Sequence, residues 1–122
     1  LLNHVIKEKN SGNLYILDFA VSNIYPRIQE LAILLCDILF DYKNKDCFIN
    51  TYNKTLIEYQ KTIALTQKEI TLLPLFIKVC HAMHIIGATK ANVEEGLNEE
   101  NEHWLNMGRQ GLEFSKEFKR TL

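Results

Sequence analysis

Proline and glycine are scarce in this chain, with 2 prolines and 5 glycines in 122 residues. A many-turned β-fold needs more of both, so the scarcity predicts long helices. Cysteine is scarce as well. Cys36, Cys47 and Cys80 are odd in number and form no C-x-x-C pair, which argues against a disulfide scaffold and a structural zinc site. Cys36 and Cys80 lie inside apolar helical patterns and read as small buried hydrophobes. Unpaired thiols suit a reducing, cytoplasmic compartment. Basic charge is not in excess: Lys plus Arg number 14 against 15 for Asp plus Glu. The footprint of a nucleic-acid binder is therefore lacking, and so is a polybasic membrane anchor. No apolar run approaches the ~20 residues of a membrane span. No basic flank precedes an apolar stretch at Leu1–Val5, as a signal peptide requires. We expect neither a nucleic-acid nor a membrane partner. There is also no initiator Met, which predicts a fragment or a processed piece.

The chain that remains is 47% hydrophobic and 24% charged. That balance is the globular norm and is enough for one domain over residues 1–122. No repeat or low-complexity linker divides it.

Its first part has strand character. His4-Val5-Ile6-Lys7 is a short β-type run. Asn10-Ser11-Gly12-Asn13 carries turn chemistry, and Leu14-Tyr15-Ile16-Leu17-Asp18-Phe19 is a second run. The pair predicts a β-hairpin over 1–19. The near-continuous apolar second strand predicts burial on both faces.

From Pro26 the period becomes helical, and the pattern predicts about four helices over 26–120. Pro26 suits a first helical turn. Ile28, Leu31, Ala32, Leu35, Ile38 and Leu39 then share one face, with Ile33, Leu34, Cys36 and Phe40 opposite. A second helix runs from about Asp46 to Ile63. Thr66-Gln67-Lys68-Glu69 matches a capping box and opens a third. Pro74 predicts a kink or a late start there, and Gly87 an interruption near its end. The fourth helix begins near Asn98. Gly108 and Gly111 on its packing side predict the close approach of another backbone. The fold class is α+β, mainly α.

Asp18 is the chemically conspicuous residue. Strands disfavour Asp and burial disfavours charge, so a carboxylate ending an apolar strand needs a partner. A magnesium ion on nucleotide phosphates is one partner. A turn or cap that satisfies the carboxylate locally is the other. A hairpin brings Asn3 near Asp18, adding an amide oxygen. Asn3 also reads as an ordinary turn residue.

These residues resemble the aminoglycoside phosphotransferase and choline kinase-like superfamily of small-molecule kinases. That family carries a loop H-G-D-x-x-x-x-N, a hairpin, an apolar-apolar-D-F segment and a G-P-R-x-x-D-L-A helix start. Leu2-Asn3-His4-Val5-Ile6 is similar to the end of the loop. Leu17-Asp18-Phe19 is similar to the metal-binding segment, and Pro26-Arg27-Ile28-Gln29-Glu30-Leu31-Ala32 to the helix start. Leu65 to Glu69 with Leu73-Pro74, and Trp104-Leu105 with Gly108-Arg109, resemble the helical lobe. The resemblance implies ATP-dependent phosphorylation of a hydroxyl on an amino alcohol, amino acid, sugar or aminosugar. It implies Mg2+ and ATP as cofactors, with Asp18 and Asn3 as metal ligands, Asp18 also serving the nucleotide, and Phe19, Arg27 and Glu30 structural beside them. The family's catalytic Asp falls five positions ahead of Asn3, before Leu1. The nucleotide-binding N-terminal lobe is absent too, so the chain is expected to be inactive alone. Glu30 stands where the family has Asp.

Other groups have plainer readings. Arg27 and Glu30 are spaced for an i,i+3 ion pair. His81 and His84 share a helix face, but a zinc site there lacks further ligands and an H-E-x-x-H pattern. His103 beside Glu99, Glu100 and Glu102 reads as a solvated helix N-terminus. Glu94 and Glu95 belong to the same solvated charge run, which otherwise suits a cationic substrate. The rival to the kinase reading is a non-catalytic helical interaction domain, or a degenerate kinase-derived structural protein.

Overall fold

The structure is a computed structural model that describes residues 5–17 and 24–118. Strands β1 (Val5–Lys7) and β2 (Leu14–Ile16) pair antiparallel with Val5 opposite Ile16, Ile6 opposite Tyr15 and Lys7 opposite Leu14. Gly12 makes the reversal at φ 73°, a region side chains disfavour. The Glu8 N–H donates to the Asn13 carbonyl at 2.9 Å, and the Ser11 hydroxyl bonds the Glu8 carboxylate. The hairpin therefore forms as its turn residues dictate. Burial of its second strand on both faces does not occur. Leu14 and Ile16 are about two-thirds exposed, because a two-stranded ribbon has two faces and no described layer lies over this one.

The helical part contains α1 (Ile28–Ile33), α2 (Phe48–Gln60), α3 (Gln67–Glu95) and α4 (Glu99–Phe118). The fold is thus mainly helical α+β, a hairpin followed by four helices among the described residues. Pro26 stands two positions before α1 rather than in its first turn, and its carbonyl accepts the Gln29 N–H at 2.8 Å. The predicted first helix changes pitch at Leu34–Ile38, a π-helical turn closed by the Leu39 N–H on the Leu34 carbonyl at 3.2 Å. Such a turn shifts the phase of every side chain after it. Leu35 and Cys36 go into the core, while Asp37 faces α3.

The Thr66 capping box is present in both halves. Glu69 N–H reaches the Thr66 hydroxyl at 3.3 Å, and Thr66 N–H donates to the Glu69 carboxylate at 2.7 Å. The helix it opens neither starts late at Pro74 nor stops at Gly87. Pro74 forfeits one backbone donor and Gly87 costs only about 1 kcal/mol of propensity, in a helix of 29 residues packed on two others. It ends at Gly96, φ 88°. Asn98 then caps α4, its Oδ1 accepting the Asn101 N–H at 2.9 Å. This short connection returns α4 antiparallel along α3.

The core gathers Leu31 of α1, Leu35 and Cys36 of the π turn, Phe48 and Tyr52 of α2, Leu73 and Ile77 of α3, and Met107 of α4. Phe40 meets the Phe48 ring edge-on at 5.4 Å. Opposite the core, α3 exposes Leu75, Val79, Met83 and Ile86. An 18-residue stretch of α3 has mean hydropathy 1.6 and is long and apolar enough to cross a membrane. This corrects the expectation from uninterrupted runs, because isolated polar residues are diluted over so long a helix. In this fold the same helix packs against α1 and α4.

Candidate functional site

Of the residues singled out in the sequence, Asn3, Asp18 and Phe19 lie outside the described residues. Arg27 and Glu30 are described, and they do not pair. Arg27 instead donates from Nε and Nη2 to the two carboxylate oxygens of Glu69, at 2.6 and 2.7 Å. The expected i,i+3 pair fails because Arg27 precedes α1, while the start of α3 places a carboxylate in front of it. The Arg27 hydrogen bonds, followed by those from Thr66, lower the Glu69 pKa to about 2. One carboxylate therefore both caps α3 and ties it to the entry of α1. Glu30 is exposed, and its carboxylate has no hydrogen bond or ion pair among the described residues.

The paired imidazoles of α3 part company. His81 is 1% exposed and enters the α3–α4 seam. A Cβ on Gly111 would overlap its ring, and one on Gly108 would lie 2.8 Å from its carbonyl oxygen. The two glycines are thus explained by close approach, of backbone at Gly108 and of a ring at Gly111. Phe40 meets the imidazole edge-on at 4.9 Å. His81 Nδ1 is buried without a hydrogen bond. Burial first, then the neighbouring His84, push its pKa down to about 4, against a smaller upward pull from Asp37.

His84 turns the other way. Its Nε2 lies 2.8 Å from Asp37 Oδ1, and the Cys80 thiol approaches the same oxygen at 3.7 Å. Cys80 and His84 are four apart on α3 and so share a face, and Asp37 arrives from the π turn. Trp104 lies against the His84 ring with centroids 5.1 Å apart. All three side chains line a cavity of about 600 Å3 between α1 and α3, whose other walls include Ala32, Ile33, Phe76 and Val79. Cys36 is fully buried beside Cys80. Its Sγ donates to the Ile77 carbonyl at 3.5 Å. Hydrogen bonding with the Cys80 thiol, then burial, raise its pKa far above the ordinary thiol range, so it is a neutral core thiol as expected. Cys80 is only half-buried and bonds a carboxylate, which sets it apart from that expectation.

This cluster combines an oxygen, a nitrogen and a sulfur donor within 4.8 Å of one another. It can hold a cation, or present a carboxylate-oriented imidazole to the cavity. The sequence contained one signal for it, the His81/His84 spacing, and only the second of those residues takes part. Asp37 gave no signal, being one acidic residue within an apolar helix pattern. His103 is exposed, its ring 5.3 Å from that of Trp104. Glu94, Glu95, Glu99, Glu100 and Glu102 are exposed as a solvated run. No family model, no curated protein and no solved structure matches this chain.

Proposed function

We propose that this chain forms the helical lobe of an ATP-dependent small-molecule kinase of the aminoglycoside phosphotransferase and choline kinase-like kind, and transfers no phosphate alone. One observation carries the reading. A hairpin strand running into Leu17-Asp18-Phe19 is followed by Pro26-Arg27 and by a helix whose Leu31 and Ala32 are buried anchors. The order of elements and the Asp-Phe, Pro-Arg, Leu-Ala spacing are those of the family. Arg27 has a structural part in this scheme, because its grip on Glu69 ties the entry of α1 to the start of α3. The uncovered apolar side chains of β2 also suit a lobe on which another unit rests.

In this reading Asp18 and Asn3 hold the magnesium of the nucleotide, which neutralises phosphate charge. The acceptor is a hydroxyl of an amino alcohol, amino acid, sugar or aminosugar, carried between the helices and the nucleotide. The unpaired thiols suit a cytoplasmic setting for this chemistry. The exposed row Leu75, Val79, Met83 and Ile86 favours the rival reading, a non-catalytic helical interaction domain.

The deciding experiment joins the chain to the residues naturally encoded ahead of Leu1. It then measures γ-phosphoryl transfer from Mg-ATP to a panel of small hydroxyl compounds. The kinase reading expects an H-x-D whose Asp lies five positions before Asn3. It also expects transfer that falls roughly 100-fold or more on Asp18→Asn. Absence of that Asp, or transfer indifferent to Asp18→Asn, overturns it in favour of the interaction domain.

A further inference from the structure

The cluster on the α1–α3 cavity has the donor set of a transition-metal site. We propose that Asp37, Cys80 and His84 bind a zinc-class divalent cation, leaving a fourth coordination position open to the cavity. The proposal does not rest on the kinase reading.

The donors are Asp37 Oδ1, Cys80 Sγ and His84 Nε2. A thiolate and an imidazole select zinc or cobalt, whereas magnesium and calcium take oxygen ligands. In a tetrahedral zinc site, bond lengths of about 2.0–2.3 Å separate neighbouring donors by about 3.3–3.7 Å. The sulfur–oxygen separation here is 3.7 Å. The nitrogen–oxygen separation is 2.8 Å, so a cation has to part this pair by about half an ångström, a small side-chain rotation. The sulfur and the nitrogen lie within 4.8 Å of each other.

The supports are rigid. Cys80 and His84 sit on one face of α3, and α4 comes close to that helix at Gly108 and Gly111. The His84 ring has Trp104 beside it at 5.1 Å and the His81 ring at 6.2 Å. Asp37 comes from the π turn, an insertion that elsewhere in proteins is frequently found at functional sites. Charge also balances. On binding, the Cys80 thiol releases its proton to solvent, Asp37 coordinates as carboxylate, and His84 donates the Nε2 lone pair of a neutral imidazole. Two negative ligands then neutralise a dication in a half-buried site. Three protein ligands and one open position are the pattern of a zinc site that takes an exchangeable ligand. Water, or a small molecule with an anionic or hydroxyl group and an apolar remainder, fits the fourth position and the largely apolar walls.

The test uses the reduced, metal-free chain and Co2+ as a spectroscopic substitute for zinc. One equivalent of Co2+ is expected to give thiolate-to-cobalt charge transfer and tetrahedral d–d bands, both erased by Zn2+. Cys80→Ser removes the charge-transfer band. His84→Ala and Asp37→Asn each weaken Co2+ binding roughly tenfold or more. Cys47→Ser, at an exposed thiol, leaves the spectrum intact. On the wild-type chain, where no variant has to fold, Zn2+ slows alkylation of Cys80 roughly tenfold or more and leaves Cys47 unchanged. The site is refuted if Co2+ gives no thiolate band. It is equally refuted if the band survives Cys80→Ser, or if Zn2+ leaves Cys80 alkylation unprotected.

Discussion

Gly111→Ala is expected to destabilise the chain, although alanine is the better helix former. Propensity alone favours the substitution by about 1 kcal/mol in the interior of α4. The opposing term comes from packing. The new methyl group would fall within the His81 ring, and the ring is hemmed in, being 1% exposed with Phe40 packed on it at 4.9 Å. Inserting a methyl group into such a contact typically costs about 1–3 kcal/mol, and a ring overlap belongs at the upper end. The net loss is therefore about 1–2 kcal/mol, which lowers the midpoint of thermal unfolding by roughly 4–8 °C for a chain of this size. Circular dichroism melts measure it. In a His81→Ala background the obstacle is gone, and the same substitution should become neutral or stabilising. Gly87→Ala is the matched control. A Cβ there meets nothing within 4 Å, so the propensity gain of about 1 kcal/mol should appear undiminished. A Gly111→Ala chain that melts at or above the parent temperature, or a penalty that survives His81→Ala, would refute the account of the seam.

His81 also makes stability depend on pH. Its folded pKa is about 4, against an ordinary 6.5. The unfolded chain therefore gains a proton first as pH falls. The contribution of His81 to stability should decline by about 3 kcal/mol between pH 6.5 and pH 4 and level off below. Urea midpoints across that range check it, and His81→Gln should flatten the decline. Glu69 acts lower on the scale. Its folded pKa is about 2, against 4.5, so its contribution is complete above pH 4.5 and lost as pH falls through 2. Amide exchange over Gln67–Ile70 should accelerate in that window, and less so in Glu69→Gln. Thr66→Ala removes the other half of the capping box and should cost about 1 kcal/mol by chemical denaturation.

Much of the architecture was legible because it depends on local chemistry. Asn10 to Asn13 supplied the turn, Thr66 with Glu69 supplied a helix start, and the helical spacing of Leu31 with Leu35 and of Leu73 with Ile77 marked the buried faces. Gly108 and Gly111 marked a close approach because nothing else explains two helix-weakening residues one turn apart. The burial of β2 was misjudged. Alternation and apolarity report what a strand is able to bury, and the covering layer is a separate matter. The late start at Pro74 and the interruption at Gly87 do not occur for a related reason: packing along a long helix outweighs single-residue penalties.

The sequence by itself determined the order of the elements, the hairpin turn and the cap of α3, since each follows from residues within a few positions of one another. Tertiary structure alone decided the partnerships. Arg27 met Glu69 across 42 positions rather than Glu30 across three. Asp37 met His84 and Cys80 on another helix, and His81 was sent to a different interface from its neighbour. The physical reason lies in helix phase. The π turn at Leu34–Ile38 moves Asp37 out of the register that a uniform helix assigns it, and the spacing of α3 from α1 and α4 then sets which polar atoms come within bonding distance.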